Sequence, residues 1–159
     1  MNNRFAISVP VRLQMAVPNV ADRAPGYGMP GVVVDGSDVL ACYAAARDAV
    51  ARARAGDGPS LIEAKVTRLT AHSSDDQQTK YRSEEELVAE RGHDALPRFR
   101  SELRDAGVLT DEVEARLTAE ITAAVHDATE YAESQPDPDP ATAMRYVYAE
   151  DTGNAGGGG

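Results

Sequence analysis

Tryptophan is absent from this 159-residue chain, and there are only one cysteine and two phenylalanines. The lone Cys42 excludes a disulfide framework and a cysteine-based metal site, and its Ala-rich helical surroundings read as a small buried helix residue. Long apolar runs are missing as well. None approaches the roughly 20 residues that cross a bilayer, and the amino terminus has no secretory hydrophobic segment, so no membrane is expected and the cytoplasm is the default location. Positive charge is scarce, with 16 Lys and Arg against 26 Asp and Glu and a formal net charge of −10. That balance argues against a nucleic-acid partner. What remains has the length of one domain, large enough for a core.

The sharpest change in texture falls after Val66. Leu61 to Val66 is an apolar run with branched residues, which reads as a buried strand. The next stretch is polar, holding His72, Ser73, Ser74, Asp75 and Asp76 between Arg68 and Arg82. Open α/β sheets place ligand sites at the carboxyl ends of their strands, and histidine exchanges protons near neutrality. On composition alone an idle surface loop is the commoner outcome.

Upstream, Val32 to Val34 predicts a short strand ending at Asp35-Gly36. Ser37 is the expected N-cap with Asp38 in the first turn, and the helix runs to about Ala55, where Gly56 stops it. With the strand 60–67 this makes a βαβ unit, hence a parallel pair with a right-handed crossover. Residues 10–30 are loop-like, punctuated by Pro10, Pro18, Pro25 and Pro30, with a helical turn or two at 19–24. A connector of that length implies function or a partner surface. At the start, Asn2 and Asn3 precede a short β-prone segment. An Asn carbonyl suits Mg²⁺, and a backbone carbonyl two residues on lies on the same side of an extended chain; a frayed terminus is the plainer alternative.

Downstream, Ser83 opens a short helix as a capping box with Glu86. A second helix covers about 96–106. Thr110 caps the longest, from Asp111 to about Ser134, with Val113, Leu117, Ile121, Ala124, Val125 and Ala128 on one stripe. His126 beside that stripe reads as an exposed or satisfied residue, and His93 in its Gly-His-Asp turn has no evident partner. Pro136, Pro138 and Pro140 predict a stiff extended linker.

Arg68-x-x-x-His72-Ser73-Ser74-x-Asp76, followed by Tyr81-Arg82, resembles the active-site loop of one family. These are the alpha subunits of thiamine-diphosphate-dependent 2-oxo acid dehydrogenases, the decarboxylating component of the pyruvate and branched-chain complexes. Asn2-Asn3-x-Phe5-Ala6-Ile7-Ser8 is similar to the closing half of the family's thiamine diphosphate motif. The segments from Ala21 to Gly31, Val34-Asp35-Gly36, Arg98-Phe99-Arg100 and Val147-Tyr148-Ala149-Glu150 also fit. The chain departs from the pattern in lacking a Trp in the helix after the loop, in reading Asp94-Ala95-Leu96-Pro97 for Asp-Pro-Ile, and in placing Ser37 where Asn is usual. The resemblance extends from Asn2 to about Glu150.

The resemblance implies an α/β fold, a partial thiamine-diphosphate-binding fold with parallel strands and a βαβ unit, followed by helices. Residues 1–82 would be the carboxyl-terminal part of the cofactor-binding domain, including the active-site loop 68–82. Residues 83–135 would be helical, 136–150 an extended anchor and 151–159 a disordered tail. The Gly-Asp-Gly half of the motif belongs upstream, so the chain is expected to be the carboxyl-terminal half of a longer subunit. Gly56-Asp57-Gly58 follows the Asn pair and is not that half. Asn3 and Phe5 would be the side-chain and main-chain ligands of Mg²⁺, and with His72 and Ser73 would bind thiamine diphosphate. His72 is the implied catalytic residue, a donor or acid toward the diphosphate side and the reacting group. Arg68, Asp76, Tyr81 and Arg82 would shape the loop and help dock the lipoyl domain, and Ser73 matches the phosphorylation position of regulated relatives. The implied partners are a beta subunit, in an alpha₂beta₂ assembly, and a lipoyl-bearing acyltransferase core. The implied reaction is oxidative decarboxylation of a 2-oxo acid with reductive acylation of the lipoyl group. The His-Ser-Ser-Asp-Asp wording leans towards a branched-chain substrate over pyruvate. An acetoin-cleaving subunit and a truncated, non-catalytic fragment stay open.

Overall fold

Residues 1–145 and Val147 are described by the computed structural model, in two units, 1–110 and 111–159, which are taken separately. The first unit opens with a two-stranded antiparallel hairpin, β1 (Phe5–Ala6) and β2 (Val9–Pro10). Its tight turn is unusual. Ile7 sits at φ +55° and Arg4, just before β1, at φ +67°, the left-handed region that a branched side chain enters at a cost of about 1–2 kcal/mol.

A parallel pair forms the centre, β3 (Gly31–Asp35) and β4 (Leu61–Lys65), in register from Gly31 opposite Leu61 to Asp35 opposite Lys65. Between them runs α1 (Val39–Arg54), which packs on both strands, as does the 3-10 segment Val20–Tyr27. The expected βαβ unit is therefore present. Asn2 adds a single parallel bridge to Lys65 on the other side of β4, so the amino terminus begins a third strand beside the pair. β4 is shorter than the expected 60–67, and just past its end Val66 donates its N–H to Asn2 O at 3.0 Å.

Few aromatics and many alanines leave little to bury. Among the described residues the buried apolar side chains are Ala21, Ala24 and Leu87. Small residues let the backbone close up: a Cβ on Gly31 would lie 2.3 Å from Ala21 O, and one on Gly36 would lie 2.4 Å from Val66 Cγ1. Val32 and Val33 of β3 are 40 % and 46 % exposed, whereas parallel sheets are ordinarily covered on both faces.

Two local expectations are corrected. Asp38, not Ser37, caps α1, accepting from Ala41 N at 2.8 Å. Ser37 is drawn back to Asp35, whose Oδ1 accepts both its N–H and its hydroxyl at 2.9 and 2.7 Å. Cys42 is half-buried, its thiol donating to Asp35 O at 3.4 Å.

After the loop come α2 (Glu84–Arg91), capped by Ser83, and α3 (Ala95–Asp105), capped by Asp94. The Asp94 cap, accepting from Leu96 N at 3.0 Å, starts α3 one residue before the expected position. The compact unit continues past Arg82 to Thr110. Two arginines explain this: Arg82 pairs with Glu86 and Glu90 of α2, and Arg98 of α3 pairs with Asp35 and Asp38.

The second unit holds α4 (Asp111–Ser134), with the bounds expected from sequence. His126 lies exposed on it, 3.5 Å from Glu130. The proline-rich segment ends in a 3-10 turn at Pro140–Thr142, so part of the expected extended anchor is helical. The remainder of that anchor, apart from Val147, and the tail 151–159 lie outside the described residues.

Candidate functional site

The two segments singled out by sequence, 2–8 and 68–82, meet at the carboxyl end of β4. Asn2 is fixed there by its N–H to Ala64 O at 2.8 Å and by its carbonyl to Val66 N. The chain then turns through Arg4 into β1. Asn3 Oδ1 accepts the Phe5 N–H at 3.0 Å. The bond from Val11 N to Arg4 O at 2.7 Å makes Arg4 and Val11 the hydrogen-bonded pair, so Phe5 and Pro10 are the non-bonded pair, with Phe5 N–H and C=O directed off the hairpin edge. The Asn3 amide oxygen and the Phe5 carbonyl thus share one edge. Each keeps a lone pair free. A shallow cavity of about 210 Å³ lies beside them, lined in part by Met1, Asn2, Val11, Gln14 and Met15.

The loop is clamped to this edge through the Phe5 ring. Arg68 and Arg82 place their guanidinium carbons 5.0 Å from its centroid, and the Tyr81 ring lies 6.0 Å away. Cation–π contacts of this kind stabilise by roughly 0.5–2 kcal/mol, more when desolvated. Arg68 also donates to Ile7 O and to the Tyr81 hydroxyl, both at 2.5 Å. The hairpin carbonyl that Arg68 holds therefore belongs to the strained residue. Arg68 Nε is buried and without a hydrogen-bond partner among the described residues.

Asp76 organises the middle of the loop. Its Oδ2 accepts the Tyr81 hydroxyl at 2.6 Å and the His72 N–H at 2.8 Å, with Arg68 at 4.0 Å. The Tyr81 hydroxyl, the His72 N–H and the Arg68 charge hold the Asp76 carboxyl below its ordinary range. Burial, and then the Asp76 carboxylate, push the Tyr81 phenol above its own. Arg82 is buried at the loop's end, donating to Arg68 O at 3.1 Å and pairing with Glu86 and Glu90 at 3.3 and 2.7 Å.

All of the expected site residues lie around this junction, but not equally engaged. Asn3, Phe5, Arg68, Asp76, Tyr81 and Arg82 form one connected cluster. His72 and Ser73 are exposed, and no hydrogen bond joins either side chain to Asn3 or Phe5 among the described residues. The loop holds His72 by its backbone and leaves its imidazole open to solvent.

Sequence reasoning missed what lies beneath. Glu63, on β4, is 3 % exposed. Its Oε1 accepts from Asn2 Nδ2 and Lys65 Nζ, both at 2.6 Å, and its Oε2 accepts from Ala21 N at 2.8 Å. Burial works to raise this carboxyl, but the bonds from Lys65, Ala21 and Asn2 outweigh it and hold the pKa at about 2. The signal was available: a glutamate inside an apolar strand run must find partners or not be charged. Glu86 and Glu90 were also readable, since they recur four and eight residues after Arg82 on one helix face.

The Dehydrogenase E1 component family matches residues 1–141. The chain belongs to that family. Three subunits of Bacillus subtilis strain 168 give the family its shading. The 2-oxoisovalerate dehydrogenase alpha subunit is 48 % identical over 149 residues, 94 % of this chain and 45 % of that protein. The pyruvate dehydrogenase E1 component alpha subunit is 38 % identical over 148 residues, 92 % of this chain and 40 % of that protein. The alpha subunit of acetoin:2,6-dichlorophenolindophenol oxidoreductase is 38 % identical over 150 residues, 92 % of this chain and 44 % of that protein. The chain spans less than half the length of these curated relatives.

Proposed function

We propose that this chain is the part of an E1 alpha subunit that binds Mg²⁺–thiamine diphosphate and presents the active-site loop. The reaction is oxidative decarboxylation of a 2-oxo acid and transfer of the acyl group to a lipoyl arm. The observation that carries this reading is the junction of segments 2–8 and 68–82 through the Phe5 ring. It supports a site in which Asn3 Oδ1 and the Phe5 carbonyl, two hard oxygens on one edge, hold the metal. Mg²⁺ requires about six oxygens, so the diphosphate, water and groups outside this chain complete the set. When bound, thiamine diphosphate supplies the carbanion and the electron sink.

The chain's own residues orient and screen. The exposed imidazole of His72 donates a hydrogen bond or proton towards the diphosphate side and the reacting group, while Asp76 fixes its backbone. Ser73, exposed in the same turn, joins it in binding the cofactor. Arg68, Asp76, Tyr81 and Arg82 hold the loop at the height of Phe5 and form part of the lipoyl-domain contact. Exposed valines on β3 suit coverage by further protein, with a beta subunit and an acyltransferase core as the partners, in the cytoplasm. The higher identity to the 2-oxoisovalerate subunit, 48 % against 38 % for the other two, favours a branched-chain 2-oxo acid over pyruvate or acetoin.

A non-catalytic fragment is the second reading, favoured by the chain spanning less than half the length of its curated relatives. Calorimetry on the chain purified with a beta subunit separates the two, since the catalytic reading expects saturable binding of thiamine diphosphate that requires Mg²⁺. His72→Ala is then expected to bind the cofactor more weakly but still saturably, and to lose reductive acylation by about 10²-fold or more. Unchanged acylation would remove His72 from the mechanism.

A further inference from the structure

Asn3 is a useful ligand only if its side chain leaves the strand on the cofactor side. Side chains alternate along an extended chain, and a slip of one residue reverses every one of them. The strand carrying Asn3 is held to β4 by a single bridge, two backbone hydrogen bonds at Asn2, which is little to specify a register. The neighbouring side chain supplies the rest. Asn2 Nδ2 donates to the buried Glu63 Oε1 at 2.6 Å, and Asn2 Oδ1 accepts the Arg4 N–H at 2.8 Å. One amide thus ties the floor of β4 to the left-handed turn at Arg4, the turn that brings Phe5 and its carbonyl back over Asn3.

Glu63 is itself over-determined. Its three donors come from three places: the amino-terminal strand, the 3-10 segment at Ala21 and Lys65 of β4. A carboxylate at 3 % exposure cannot release one of these donors without leaving charge or an N–H unpaired in a dry place. Asn2 is therefore pulled to the Glu63 face, and Asn3 must occupy the opposite one. Glu63 has no access to the metal, because its oxygens are already occupied on the other face.

We propose that Glu63, acting through Asn2, is the positioning residue that places the Asn3 amide and the Phe5 carbonyl on the cofactor edge. The assignment rests on the metal-binding role of Asn3 argued above, and one control separates the two. The test uses the chain assembled with its E1 partner subunit, with Mg²⁺ titrated at saturating thiamine diphosphate by calorimetry, and amide exchange followed over residues 2–6. Asn2→Ala and Glu63→Gln are each expected to weaken Mg²⁺ binding by about 10–100-fold, the usual effect of removing an outer partner of a ligand. Exchange at Arg4 and Phe5, whose N–H groups are held by Asn2 Oδ1 and Asn3 Oδ1, rises, while assembly and exchange in α2 stay at wild-type levels. Loss of assembly and of protection everywhere, in both variants, would make the pair merely structural and overturn the proposal. Asn2→Ala leaves Glu63 with Lys65 and Ala21, so it carries the test if Glu63→Gln does not fold. Mg²⁺ binding by Asn2→Ala within about threefold of wild type overturns the positioning role, provided Asn3→Ala abolishes binding. If Asn3→Ala also binds normally, the ligand assignment itself falls, and the proposal with it.

Discussion

The candidate site has a floor and a lid, and they are built in opposite ways. The floor, Asn2 and Glu63 with Lys65 and Ala21, is ionic and triply bonded around one buried carboxylate. The lid, 68–82, is anchored at its ends by Arg68 and Arg82, yet leaves His72 and Ser73 in solvent. Register errors are all-or-nothing, so an edge proposed to hold a metal needs a floor that admits one arrangement. A residue proposed to meet several partners in turn is better served by a held backbone and a free side chain.

The largest expected contrast is in stability. Glu63→Ala leaves Lys65, the Asn2 amide and the Ala21 N–H without their shared acceptor and should cost about 3 kcal/mol or more, read from urea unfolding. His72→Ala, changing an exposed ring, should stay within about 0.5 kcal/mol. Equal costs would erase the distinction between floor and lid.

Acid should act on the floor in the same direction. The folded Glu63 carboxyl, at about 2, lies below its ordinary 4.5. Its contribution is therefore fully present above pH 4.5 and lost as pH falls from there through about 2. The linked free energy is on the order of 3 kcal/mol. Wild type should lose that much more stability than Glu63→Gln between pH 5 and 2, measured as unfolding midpoints along the series. Asp76 is also depressed, so the lid loosens over an acid range of its own, and exchange at the His72 amide would report it.

How much of this was legible depended on whether a residue's partner lay nearby in sequence. The span of α4 followed from the expected cap position and the apolar stripe, and the lid residues followed from a motif whose members lie within fifteen positions. The cap of α1 was misread because Asp35, two residues back, competes for Ser37 more effectively than the helix does. The floor was not assigned at all. Asn2 and Glu63 are 61 residues apart, and no periodicity links them; what the sequence offered was one glutamate out of place in an apolar strand. Asn3, the proposed ligand, was visible by resemblance, whereas the residue proposed to orient it was visible only by contact.

Within the lid, Tyr81→Phe should have a moderate effect. It removes the bond to Asp76 and the acceptor for Arg68 while keeping the ring beside Phe5. A loss of about 1 kcal/mol corresponds to roughly fivefold faster exchange at the His72 amide. Exchange at Asn2 should not follow, because its bonds run to Ala64 and Glu63. A rise at both amides would mean that floor and lid open as one unit.

The smallest effect belongs to Ser73→Glu. Ser73 is exposed, and its carbonyl accepts the Asp76 N–H at 3.2 Å, so the new charge would stand beside Asp75 and Asp76. Repulsion between solvated charges is worth a few tenths of a kcal/mol, about a twofold rise in His72 amide exchange at low salt. Salt screens such pairs within about 10 Å at 0.1 M, so the effect should vanish in high salt. The floor, whose carboxylate is buried and fully paired, should show no change at either ionic strength. A salt-independent opening of the lid would instead mean that the Ser73 hydroxyl itself holds the turn, and the lid would then be bonded more like the floor than its exposure implies.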